Sequence, residues 1–482
     1  MPRIRTLIFT LLLCALLSGA AGSGQALASH GQITYFEGST DLLEPSTRPH
    51  AIAQLQHLGV HALRIELPWA SVAPANKSAT RPAFNATDPA AYRWGQYDAL
   101  IAEAQRLHWQ VLLTVTSPVP RWATSDRKAP YVTRPDPRDF QEFMTAVGRH
   151  YGAQVSTFAI WNEPNHPAFL RPQWNRNGTP ASPRIYRGLY QAGYAGLQAA
   201  GLAHPQVFFG ETAPVGYDTV SVHKEGSGAL LHDVAPLLFM RTALCLDSHY
   251  RKSGSCGPLV ISGYAHHAYT KAVSPYYVEP GTDNVTIGTV SRLSRALDRA
   301  AGAHAIPAHV PIELTEFGVQ SLPNKQLGLP VAQQAEYDAI SEHIAYANGR
   351  VAGFSQYLLK DDPVGGAPGS SVHGGFIGFQ TGLEYVNGRA KPLYYGFPVP
   401  LVVSKRGSGF SLWGLVRPAA TATRVTVLVR LRGAHSYRTL KTVTTDTLGY
   451  WSLSSSVRGQ SWRVRWTSPT GVRYEGPAIR AY

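Results

Sequence analysis

Between residues 30 and 400 the chain alternates short runs of apolar and β-branched residues with longer stretches whose apolar positions recur every three or four residues. The short runs are nearly continuous, as expected of strands covered on both faces. They predict eight strands, at 33–36, 62–67, 110–116, 157–161, 206–210, 260–266, 310–315 and 353–358. The longer stretches predict helices at 50–58, 96–107, 139–151, 183–200, 289–301 and 333–348. Eight strands with helices between them predict an α/β fold, a closed (β/α)₈ TIM barrel. The rival, a doubly wound open sheet, requires a glycine-rich phosphate loop after an early strand, and the sequence offers none. Long connections at 67–95, 162–182 and 211–228 are rich in Pro, Asn, Trp and Gly. In a barrel such loops gather at the C-terminal rim, where active sites are built.

After Pro398-Val399-Pro400 the period changes to two. Runs such as RVTVLVRL and WRVRWTS, broken by Gly433, Gly449, Gly459 and Gly471, predict a small antiparallel β-sandwich of immunoglobulin or fibronectin type. The reading divides the chain into 1–28, 29–398 and 399–482. Trp451, Trp462 and Trp466 of the last part are either core or a sugar-stacking face.

Composition adds three points. A hydrophobic fraction of 44% with 15% charged residues excludes a disordered chain. Arg3 and Arg5, the apolar run at 7–17 and the small-residue site Ala26-Leu27-Ala28 predict a signal peptide, cleaved after Ala28, and hence a secreted protein with no membrane anchor afterwards. Cys245 and Cys256 then remain, and in an oxidising compartment they most simply form one disulfide. The net charge of +14 is unevenly placed: residues 400–482 hold thirteen Lys and Arg against Asp446 and Glu475. The basic part suits contact with an anionic cell-wall polymer or acidic polysaccharide, or is a solvated surface. Nucleic acid is not expected, because no recognised binding motif is present.

Two apolar runs end abruptly in a glutamate. One is Phe158-Ala-Ile-Trp-Asn-Glu163-Pro-Asn165, in which Pro164 biases Glu163 away from helix. The other is Val310-Pro-Ile-Glu-Leu-Thr-Glu316-Phe-Gly318. Periodicity does not choose between Glu313 and Glu316, but Glu316 is nearer the strand end. Two carboxyl groups at the rim ends of different strands are what cleavage of a glycosidic bond needs, one to protonate the leaving oxygen and one to attack the anomeric carbon.

At these residues the sequence resembles clan A of the glycoside hydrolases, over roughly residues 30–398. Trp161-Asn162-Glu163-Pro164-Asn165 looks like the clan's fourth-strand motif and Leu314-Thr315-Glu316-Phe317-Gly318 like its seventh-strand motif. Within the clan, the form of these segments is most similar to the xylosidase/iduronidase-like family 39, with cellulase-like family 5 as runner-up. The resemblance implies a retaining hydrolase in which Glu163 is acid/base, Glu316 nucleophile and Asn162 a donor to the sugar 2-hydroxyl. Arg64 resembles the second-strand arginine that keeps the nucleophile ionised, or is an ion pair of the barrel base. His267-Ala-Tyr269 looks like the sixth-strand His-x-Tyr, whose tyrosine orients the nucleophile. His266 and His267, on opposite faces of a strand, are poor co-ligands, so no metal site is expected there. Trp69, Trp122 and Tyr357 fall where the clan places sugar-contacting aromatics, or are packing residues; at Tyr357 many relatives carry Trp. The mechanism needs no cofactor, and Glu163 is expected to owe a raised pKa to the charge on Glu316. The expected partner is a polysaccharide or oligosaccharide. A transglycosidase or a carbohydrate-binding pseudoenzyme would use the same groove.

Overall fold

Eight parallel strands close into a barrel in chain order: β1 (Ile33–Glu37), β2 (Ala62–Pro68), β3 (Gln110–Thr116), β4 (Thr157–Ile160), β5 (Val207–Thr212), β6 (Gly263–His267), β7 (Ile312–Glu316) and β8 (Val351–Gln356), the last pairing with β1. The structure is a computed structural model describing residues 31–38, 40–271, 273–363 and 378–482; the expected signal segment at 1–28 lies outside them. A helix follows each strand: α1 (Arg48–His57), α2 (Gly95–Arg106), α3 (Pro137–Tyr151), α4 (Ser182–Ala199), α5 (Pro236–Ala243), α6 (Ser291–Gly302), α7 (Val331–Tyr346) and α8 (Pro392–Gly396). None of the helices in the described residues is long and apolar enough to cross a membrane.

Two of these eight helices escaped the sequence pattern. α5 is a nearly unbroken apolar run, Pro236-Leu-Leu-Phe-Met240, without a polar face to reveal its period, and α8 spans only five residues. The sixth strand starts later than expected. Leu259 donates its backbone N–H to the Ala305 carbonyl, so the apolar residues at 259–261 form an approach to the ladder and not a rung of it.

Inside the barrel the inward face changes character along its axis. Its lower part packs Tyr35, Ala62, Leu112, Ala159, Phe208 and Ala265 together, alternating large and small side chains. Two residues further along the same face come Glu37, Arg64, Thr114 and His267. An apolar floor therefore supports a polar layer at the C-terminal mouth. The outer face of the barrel is sealed to the helices by Trp69, Phe140, Phe143, Trp161 and their neighbours.

Seven antiparallel strands form the C-terminal part: β9 (Leu401–Arg406), β10 (Gly409–Leu415), β11 (Arg424–Leu431), β12 (Arg438–Thr444), β13 (Tyr450–Ser455), β14 (Gly459–Thr467) and β15 (Arg473–Glu475). They make two sheets, β13-β10-β9 and β12-β11-β14-β15. The fourth strand pairs with the third, as in fibronectin-type sandwiches, whereas in constant immunoglobulin domains it joins the first sheet. Trp451, Trp462 and Trp466 are buried in the core between the sheets. They are packing residues and form no exposed sugar platform.

The sandwich is fastened to the barrel. Arg417 makes a bidentate pair with Glu342 of α7, at 2.8 and 2.7 Å, and also reaches Thr34 Oγ1 and the Phe397 carbonyl. Val402, Trp413, Leu415 and Tyr450 pack on Ala339 and Ile340 of the same helix. The Cys245–Cys256 disulfide is present in the loop from α5 to β6, at the end of the barrel opposite the mouth.

Candidate active site

Glu163 stands three residues beyond the end of β4, in a left-handed stretch. Trp161 has φ 73° and Glu163 φ 36°. The reason is the turn required. Trp161 points outward, with its ring edge-on to Phe140 and its Nε1–H on the Phe169 carbonyl, while Asn162 and Glu163 turn into the mouth. Such strain persists only where surroundings hold it. Here the Glu163 N–H donates to the Glu211 carbonyl at 2.9 Å, and the Asn162 N–H to Thr116 Oγ1 at 3.0 Å. Asn165 is buried and ties the same loop to Ala213 and Val234.

Glu316 ends β7. Strict alternation would put Glu313 and Thr315 inside, yet both Glu313 and Glu316 point inward. The β6–β7 ladder pairs Ala265 with Glu313 but His267 with Glu316, so three steps on β7 match two on β6. This bulge resets the phase of the strand. Glu313 stays in the apolar floor, where its carboxyl is pushed up to about 8 by burial. Glu316 reaches the mouth, accepting from Tyr269 Oη at 2.6 Å and from Arg64 Nη1 at 3.2 Å.

Arg64 is fully buried and organises the polar layer. It donates to Glu211 (Nε to Oε1, 3.0 Å; Nη2 to Oε2, 2.7 Å), to Glu37 (2.7 Å), to Glu66 (3.2 Å), to Asn162 Oδ1 (2.8 Å) and to Glu316. Because arginine only donates, this contact fixes the Asn162 amide with its NH₂ as the free donor end. His267 links the two candidate carboxylates: Nδ1 lies 3.0 Å from Glu163 Oε1 and 3.7 Å from Glu316 Oε2. His266 points the other way, to Thr212 Oγ1 and the Val285 carbonyl. The nearest oxygens of Glu163 and Glu316 are within 4.8 Å of each other.

Protonation differs across the pair. Glu163 is pushed up to about 7, first by burial. The charge on Glu316, expected from the sequence to be the cause, is not what raises it: after burial, the anions that push Glu163 up are Asp233 and Glu211, against His166 and Arg64. Burial also pushes Glu316 upward, but His267 and Arg64 pull it back. With a guanidinium and a tyrosine hydroxyl on its oxygens, Glu316 is the better held anion. Burial lowers His267, which is therefore the neutral ring at physiological pH. Glu163, His267 and Glu316 are also the group among the described residues that could hold a metal ion, with one ligand atom from each. A proton shared between His267 and Glu163 accounts for the same spacing.

The aromatics expected at the rim divide. Tyr357 stands edge-on to Tyr269 and lines an open cleft of about 540 Å³ together with Glu37, Glu66, Tyr97 and Phe379. Trp69 is wholly buried, stacked on Phe143 at 5.2 Å, and faces the helix layer. It touches no groove: it continues the outward face of Ile65 and Leu67 into the helix layer, while Glu66 and Pro68 line the cleft. Trp122 is half-buried, with Nε1 on the Pro74 carbonyl and its ring between Trp69, Phe84 and Arg81. Glu37, Glu66 and Glu211, by contrast, belong to the site and were not singled out by sequence. Alternation along β1 and β2 places Glu37 and Glu66 inward and could have found them.

By sequence, no family model and no curated protein matches this chain. By structure it is similar to a glucosidase from Croceicoccus marinus, over 90% of this chain and 95% of that one, at 10% identity and a TM-score of 0.50. A monomeric β-xylosidase from Caulobacter crescentus CB15 aligns over 95% and 96% of the two chains, at 13% identity and a TM-score of 0.49. A β-glycosidase from Thermosphaera aggregans aligns over 74% and 84%, at 14% identity and a TM-score of 0.44. At these identities the likeness is one of fold: the barrel is a fold shared with the glucosidase.

Proposed function

We propose that the chain is a secreted retaining glycoside hydrolase of clan A, cleaving O-glycosidic bonds of a polysaccharide or oligosaccharide by double displacement. The observation that carries this reading is the pair Glu163 and Glu316, on separate strands at one mouth, with carboxylate oxygens within 4.8 Å. Retaining enzymes hold their two carboxyl groups about 5–5.5 Å apart, whereas inverting ones leave roughly 6.5–9.5 Å for a water. The fold shared with a glucosidase supports the same class.

In this mechanism Glu316 attacks the anomeric carbon while Glu163 gives its proton to the departing oxygen. Arg64 and Tyr269 hold Glu316 ionised and aimed, and the Asn162 NH₂ is placed to donate to the neighbouring sugar hydroxyl. Burial keeps Glu163 protonated up to about pH 7, as an acid requires. Formation of the glycosyl ester removes the charge of Glu316. Glu163 then becomes the stronger acid and serves as base toward the incoming water.

A panel of aryl glycosides tests this. Glu316→Ala is expected to abolish turnover with the fold intact. Glu163→Ala is expected to spare glycosylation by substrates with good leaving groups and to regain turnover with azide. Full turnover by Glu316→Ala, or equal losses on good and poor leaving groups without azide rescue, would contradict the assignment. Binding of sugars without any turnover would point to a pseudoenzyme, and transfer to added sugar acceptors to a transglycosidase.

A further inference from the structure

We infer that Glu211 is a positioning residue that sets both the separation and the charge balance of the Glu163–Glu316 pair. The inference rests on the hydrolase reading of that pair. Glu211 does not touch the cleft: it is 1% exposed, so it acts through its neighbours.

It acts through two of them. Its backbone carbonyl receives the Glu163 N–H at 2.9 Å and so anchors the left-handed residue that carries the acid/base. Its carboxylate is bidentate on Arg64, and Thr114 Oγ1 also donates to it at 3.0 Å. Arg64 in turn holds Glu316 and Asn162. One residue of β5 therefore fixes the backbone under one carboxyl and the cation beside the other.

The strand is built to allow this. Alternation from Phe208 would turn Gly210 and Thr212 inward and Glu211 out toward the helices. The β5–β6 register instead skips between Gly210 and Thr212, and Glu211 takes φ 46°. A Cβ on Gly210, at φ 114°, would meet the Ala265 carbonyl oxygen at 2.5 Å, so the bulge needs glycine there. Strain of this kind at a fully hydrogen-bonded carboxylate marks function more than stability.

The charge argument is separate. Glu211 is the leading counter-ion of Arg64. Glu163 is faced by His267 and Glu316, by His166 and Asp233 from the loops, and by Arg64 and Glu211. Glu316 is faced by Arg64, His267, Tyr269, Tyr357, Glu163, Glu66 and Glu37. Removing only the charge of Glu211 leaves Arg64 less compensated. Its attraction for both carboxylates then grows, and Glu163 also loses a neighbouring anion that pushes it up. Both groups shift to lower pH.

The test uses the full chain with Glu211→Gln and Glu211→Asp, reading kcat and KM against pH on an aryl glycoside with a poor leaving group. For the Gln variant the expected result is a folded protein, kcat down about 10- to 100-fold with KM changed little, and a basic limb displaced to lower pH. For the Asp variant it is a basic limb at the wild-type pH with a partial loss of kcat. A Gln variant with wild-type kcat and limb would overturn the inference, as would an Asp variant displaced as far as Gln. If the Gln variant fails to fold, the Asp result decides by the same criteria, and failure of both to fold assigns Glu211 to stability alone. The displacement is also read without turnover, from the ¹³C carboxyl titration of Glu163. A wild-type chain inactive on every glycoside would sink the hydrolase reading, while that titration would still decide for or against Glu211.

Discussion

Two glutamates three positions apart on β7 have opposite fates, and their surroundings explain why. Glu316 has a guanidinium and a phenol on its oxygens, whereas Glu313 Oε2 has no hydrogen-bond partner and sits beside Tyr35 in the apolar floor. With its carboxyl raised to about 8, Glu313 is neutral in the folded chain at pH 7. A pKa raised by folding contributes stability fully below the unfolded value near 4.5, and that contribution is lost as pH climbs through 8. Glu313→Gln, which cannot ionise, should therefore melt at progressively higher temperature than wild type between pH 5 and 8, with a constant advantage above. Thermal melts across that range check this; a difference independent of pH would contradict it. Trp69 supplies the second expectation at this scale. As a stacked, fully buried ring it should cost about 3–5 kcal/mol on replacement by Ala, with KM for small glycosides unchanged in the protein that remains folded. A raised KM with unchanged stability would return it to the groove.

Among elements, the strands were legible and their phases were not. All eight barrel strands are readable because each is an apolar run bounded by turns, and Glu163 and Glu316 are readable because each ends such a run. Glu211 is hidden because a bulge reverses which face it joins, and bulges leave little trace in a hydrophobic pattern. Gly210 is the one local sign, since a glycine within a strand suggests a bulge or close backbone approach. Trp69 and Tyr357 show the converse: both occur at strand ends, but the alternation that turns Glu66 inward sends Trp69 outward, whereas Tyr357 lines the cleft. Gly210→Ala tests the bulge directly. The added Cβ has no room and the φ is unfavourable, so stability should fall by more than about 1 kcal/mol. Activity should fall further than folding accounts for, because Glu211 moves with it. A variant as active and stable as wild type would show that the bulge is dispensable.

At the scale of the whole molecule, a nearly neutral barrel carries a basic sandwich. On the outer face of β11-β14-β15, Arg463, Arg465 and Arg473 surround one acid, Glu475, and Arg430 and Arg463 flank the Tyr437 ring. Charge complementarity suits an acidic polysaccharide there, and arginine is the cation that grips carboxylates in pairs. Retention on polygalacturonate should fall in an Arg430→Ser, Arg463→Ser, Arg465→Ser variant and weaken with salt, with turnover of small glycosides unchanged. Equal retention by the variant, or by a neutral polymer, would argue for a solvated surface. None of this bears on the proposed chemistry at the mouth, which requires two carboxyl groups to face one anomeric carbon. The most direct measurement is mass spectrometry of the chain after incubation with a 2-deoxy-2-fluoro glycoside bearing an activated leaving group, followed by peptide mapping. The account predicts a stable adduct of one glycosyl unit on Glu316, absent in Glu316→Ala. Labelling at another residue, or hydrolysis with inversion and no adduct at all, would contradict it.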